Sequence, residues 1–141
     1  MKNELQQLME ERQVDGILIT GPGQHNPAMV YFTGSGNITE AQLFILKGQE
    51  PLLVHYPMER DEAARSGLKT RSMDDYDYRD LSKAAKGDDA RFRASLYKTI
   101  LSDLGFTSGN LLVYGKMDAG LAYATIASGR CYRHLQTIWA C

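Results

Sequence analysis

The sequence predicts an α/β fold, a mixed sheet with helices on both faces, and three observations carry that prediction. Gly16-Ile17-Leu18-Ile19-Thr20 is a short, almost wholly apolar run rich in β-branched residues, the pattern of a strand buried on both faces. Ahead of it, Glu4 to Gln13 sets Leu5, Leu8 and Met9 at helical spacing with Glu10 and Glu11 pointing elsewhere, as in an amphipathic helix laid on a sheet. Behind it, Ala41–Lys47 and Pro51–Tyr56 are two apolar runs separated only by Gly48-Gln49-Glu50. So short a polar gap favours an antiparallel hairpin over a crossover, which makes the sheet mixed.

The remaining elements follow in order. After the first strand, Asn26 is a good helix cap and Pro27 sits where a first turn tolerates a missing N–H, so a short helix runs from about Pro27 to Tyr31. Pro57 opens MERDEAARSG, whose early acids, late Arg65 and closing Gly67 have the charge order and stop signal of a helix. Lys69 to Met73 reads as a short edge strand, and the polar stretch Asp74–Asp89 as a loop entering a helix near Asp88. Phe92, Leu96, Ile100, Leu101 and Leu104 then recur at helical intervals up to Gly105. Asn110–Tyr114 is a further buried strand, Asp118 caps a helix over AGLAYATIAS, and Cys131–Gln136 offers a last strand.

The chain has 141 residues, a usual size for one domain able to bury its own core, and residues 1–141 are read as one. A net charge of -1 leaves no surplus of Lys or Arg to neutralise phosphates, against a general nucleic-acid binder. Met1 leads directly into KNELQQLMEER with no apolar leader, and no apolar run approaches the roughly twenty residues of a membrane span, so the expected location is cytoplasmic and off the membrane. In that compartment Cys131 and Cys141 are expected to be free thiols, and the sequon Asn37-Ile38-Thr39 is accidental.

The motifs that would carry chemistry are weak. Gly21-Pro22-Gly23-Gln24-His25-Asn26 lies between a strand and a helix like a dinucleotide loop, but Asn26 occupies the third glycine position and Pro22 stiffens the turn. His25, His55 and His134 are far apart, and Pro57 breaks any helical face shared by His55 and Glu59. Asp74, Asp75, Asp77 and Asp80 lack the glycine and terminal glutamate of a calcium loop. No nucleophile elbow or phosphate loop occurs, and Cys131 between Arg130 and Arg133 reads as packing. From the residues alone, the chain is a domain without a catalytic centre of its own.

The opening LQQLMEERQVDGILIT, then Val30-Tyr31-Phe32-Thr33-Gly34, the apolar hairpin, and Pro57-Met58-Glu59-Arg60-Asp61-Glu62-Ala63 resemble, in serial order, the amino-terminal domain of the aminopeptidase P, prolidase and creatinase family. The resemblance implies a mixed six-stranded, ribonuclease H-like sheet that precedes a larger pita-bread catalytic domain. It also implies two divalent metals (Mn, Co or Zn) held in that second domain by two Asp, one His and two Glu. None of those ligands matches a position in this chain, so the expectation is no catalytic, cofactor or metal residue here. The first strand also lacks the carboxylates of two-metal nuclease chemistry.

Also by resemblance, this domain would help assemble a homodimer, pack on its own catalytic domain and narrow access to short proline-containing peptides. The expected substrate-access rim is Tyr31, Ser35, Asn37, Ile38 and Thr39, with Gly36 between them, and His55 and Tyr56 from the loop before Pro57. Two other readings stand beside the Xaa-Pro peptidase one: a creatinase-like amidinohydrolase, and a free-standing binding or oligomerisation module.

Overall fold

The computed structural model describes residues 2–107 and 109–115. Among them the chain builds a five-stranded mixed sheet flanked by helices on both faces. Helix α1 (Lys2–Glu11) leads into strand β1 (Gly16–Gly21), then helix α2 (Pro27–Thr33) and the hairpin β2 (Ala41–Leu46) and β3 (Leu52–His55). A 3-10 turn, Pro57–Glu59, runs straight into helix α3 (Arg60–Arg65), and strand β4 (Lys69–Ser72) follows. A second 3-10 turn, Met73–Tyr76, precedes helices α4 (Tyr78–Ala84) and α5 (Asp89–Asp103), and strand β5 (Leu111–Gly115) closes the described chain.

The strand order is β4-β3-β2-β1-β5. The hairpin is antiparallel, as the short Gly48 connection requires, with Leu43 opposite Leu53 and Ala41 opposite His55. Strand β1 pairs antiparallel with β2 and parallel with β5, so Ile19 stands between Leu43 and Tyr114. β4 lies at the edge, parallel to β3. The sixth strand expected at Cys131–Gln136, and the helix expected after Asp118, lie outside the described residues.

Alternation along the strands divides the core in two. Leu18, Phe44, Leu52, Val54, Leu111 and Val113 face α5, where Leu96, Tyr97, Ile100 and Leu101 meet them. Phe44 and Tyr97 pack edge to face with ring centroids 6.3 Å apart. On the other face Ile19, Leu43, Ile45 and Leu53 pack with Met9, Met29, Ile38 and Ala63 from α1, α2, the following loop and α3. Each fully buried Leu, Ile or Phe contributes about 1.5–3 kcal/mol, and the two layers explain why so short a chain tolerates a sheet apolar on both sides. Gly16 has a packing reason to be glycine, since a Cβ there would lie 2.7 Å from Leu46 Cδ2 and 2.9 Å from Leu111 Cδ1.

The loop expected over Asp74–Asp89 is corrected. It holds a 3-10 turn and α4, because Ser72 and Asp75 form a reciprocal capping box. Tyr76 then buries, and Tyr78 and Leu81 pack against the α5-side core. The expected entry at Asp88 is seen: its side chain accepts from the N–H of Arg91 at 3.1 Å.

Candidate functional site

Function in such sheets gathers at strand ends, and here the region of interest is the passage from β1 through α2 to β2. Asn26 organises it. Its side-chain oxygen caps α2 by accepting from the N–H of Met29 at 3.0 Å, and its Nδ2 donates to the carbonyl of Thr20 at 3.0 Å. Pro27 fills the first helical position, and Gly34 ends the helix in the left-handed conformation with φ 69°. Seven residues of helix therefore send Met29 and Thr33 inward. Tyr31 points outward, 60% exposed, its ring edge-on to Phe32 at 5.2 Å.

The segment from Gly34 to Glu40 returns the chain to the start of β2. It is pinned to the β1–α2 turn, where Gly23 donates to the carbonyl of Ile38 at 2.7 Å. Two carboxylates of the Pro57–Arg65 segment tie it on the other side. Ser35 Oγ donates to Glu62 Oε1 at 2.6 Å and accepts the N–H of Asn37 at 3.1 Å. Glu59 Oε1 accepts the N–H of Thr39 at 2.6 Å and the Thr39 hydroxyl as well. Glu59 is buried, and among the described residues its Oε2 has no partner. Glu62 is also met by Arg65 Nη1 at 3.2 Å.

The seven expected rim residues are distributed over the 34–40 loop, helix α2 and the end of β3. Ser35, Asn37 and Thr39 come together on the loop, with Asn37 and Thr39 exposed. Ile38 and His55 are buried, only 1% and 2% exposed. Ile38 fills the core between Met29 and Ala63, and His55 closes the end of β3 with Nδ1 2.8 Å from the carbonyl of Tyr56. Tyr56 packs against the opposite core, where burial, then the nearby Glu40 charge, raises its hydroxyl pKa. Tyr31 belongs to a separate apolar groove of about 450 Å³, walled by Leu5 and Leu8 of α1, Phe32, Ile45 and Leu68.

Glu59 and Glu62 were the residues sequence reasoning missed as loop partners. Their spacing of three on a short helical segment, which puts both on one face, was the available signal. Among the described residues no three His, Cys, Asp or Glu side chains stand close enough to hold a metal ion. His25 is exposed with φ 60°, and His134 lies outside the described residues. Asp75 is spent on the Ser72 cap. No helix among the described residues is long and apolar enough to cross a membrane.

This geometry, a mixed five-stranded sheet with a capped short helix and a loop tied by two carboxylates, is an α/β domain. The chain belongs to the Creatinase/Prolidase N-terminal domain family, whose model matches residues 2–123. A dipeptidase from Pyrococcus horikoshii OT3 is similar over 98% of this chain and 34% of its own, with 19% identity and a TM-score of 0.64. An X-Pro aminopeptidase from Thermotoga maritima MSB8 is similar over 80% of this chain and 26% of its own, at 17% identity and a TM-score of 0.54. The creatinase/prolidase amino-terminal domain of an X-Pro dipeptidase from Streptococcus pyogenes is similar over 92% of this chain and 88% of its own, at 13% identity and a TM-score of 0.55. The chain thus spans about a third of the first structure and about a quarter of the second. Comparison with curated proteins gave no match.

Proposed function

We propose that this chain is the non-catalytic amino-terminal domain of a cytoplasmic Xaa-Pro peptidase-like metalloenzyme, contributing to homodimer assembly and to active-site access. The observation that carries the reading is the asymmetry of coverage: nearly all of this chain corresponds to about a third of a dipeptidase. The divalent metals of such an enzyme, Mn, Co or Zn, belong to its catalytic domain, and no chemical step runs through the residues described here. What this chain supplies is shape. The tied loop offers Asn37, with Ser35 and Thr39 beside it, as a rigid edge that meets short proline-containing peptides where they enter.

The test is made in the whole two-domain enzyme with Asn37→Ala. The expected result is a several-fold change in KM for tripeptides and longer peptides relative to Xaa-Pro dipeptides, with kcat unchanged. Identical KM values across peptide lengths would remove the rim role.

A further inference from the structure

The two ends of the 34–40 loop are held by carboxylates that play unequal parts. Glu62 is less deeply buried than Glu59, its side chain 23% exposed, and it is shared between Ser35 and an exposed Arg65, so its hold is the weaker one. Glu59 is nine-tenths buried and takes both donors of Thr39 on a single oxygen. Its other oxygen has no partner among the described residues. A carboxylate kept so deep with one oxygen unsatisfied is a poor stabiliser, because its desolvation offsets most of what its bonds return. What the geometry obtains from it is position. Fixing the N–H and hydroxyl of Thr39 together leaves that residue one orientation, turns Ile38 into the core and leaves Asn37 facing solvent.

We infer that Glu59 is the positioning residue of the 34–40 loop, acting through Thr39, and that it works as a hydrogen-bond acceptor rather than as a charge. The inference rests on the rim reading for its purpose, but its test reads the loop itself. Amide hydrogen exchange of the 141-residue chain is followed for the parent, Glu59→Ala and Glu59→Gln. Glu59→Ala is expected to speed exchange at the Thr39 and Asn37 amides about tenfold or more, while the strand amides of Leu18 and Phe44 stay within about twofold of the parent. Glu59→Gln is expected to restore protection, since its amide oxygen accepts the same two bonds.

Unchanged protection at Thr39 in Glu59→Ala would overturn the inference, as would Glu59→Gln exchanging as fast as alanine. If the alanine variant does not fold, Thr39→Val removes the hydroxyl arm alone. It should loosen Asn37 and Thr39 without touching Phe44, and a loop as protected as the parent's would count against the assignment. Failure here leaves the peptide-length experiment standing, and failure there leaves this one, so the two readings are separable.

Discussion

Replacing Asn26 with alanine removes two bonds at the point where β1 hands over to α2. The first is the cap on Met29 N–H at 3.0 Å, and losing an Asn cap costs about 1 kcal/mol. The second is the buried Nδ2 donation to Thr20 O at 3.0 Å, worth about 1 kcal/mol net. Asn26 is 6% exposed, so water cannot replace either bond without opening the turn. The expected loss is therefore about 2 kcal/mol, which at a urea slope of about 2 kcal/mol/M moves the unfolding midpoint down by about 1 M. Asn26→Asp separates the two arms. It keeps the acceptor, which the helix N-terminus favours, but sets an oxygen against the Thr20 carbonyl, so it should lose about 1 kcal/mol or more. Urea unfolding followed by circular dichroism checks both. An alanine variant within about 0.5 kcal/mol of the parent would refute the reasoning, and an aspartate variant as stable as the parent would refute the Thr20 arm.

Two more outcomes follow from the core. Gly16→Ala should destabilise by about 1–3 kcal/mol, because its Cβ would press on Leu46 and Leu111 from both neighbouring strands, and thermal melting checks it. Burial raises the phenol pKa values of Tyr97, Tyr56 and Tyr76 above the ordinary 10.0. The folded state therefore holds these phenols neutral where the unfolded chain would ionise them. Their contribution is complete below pH 10 and is lost as pH rises through the folded values. Stability measured from pH 8 upward should stay level and then fall above about pH 10, with the fall reduced in Tyr97→Phe. An equally steep fall in that variant would contradict the assignment to Tyr97.

What could be read in the sequence was what local chemistry decides. The β-branched run of β1, the short hairpin gap, the Asn26-Pro27 cap and the helix entry near Asp88 each act within a few residues, and each appears in the structure where it was expected. The helical content between Met73 and Ala84 was hidden by its charge. Asp74, Asp75, Asp77 and Asp80 outnumber Tyr76, Tyr78 and Leu81, yet those three bear on the core, and Ser72 with Asp75 was the capping pattern to notice. The loop region was legible as a segment but not side chain by side chain. Ile38 is enclosed by α2 and α3, and the Thr39 tie to Glu59 spans 20 residues, a contact that no local pattern encodes. The placement of β5 beside β1 is of the same kind. It is pinned where Asp15 accepts the N–H of Asn110 across 95 residues.

The proposed role is to shape and assemble an enzyme whose chemistry lies in another domain. It is tested most directly by incubating the purified, folded chain with Mn²⁺ and an Xaa-Pro dipeptide and measuring release of free proline. The account predicts release no faster than from the buffer control. Turnover that copurifies with the folded chain and is lost on unfolding would contradict it.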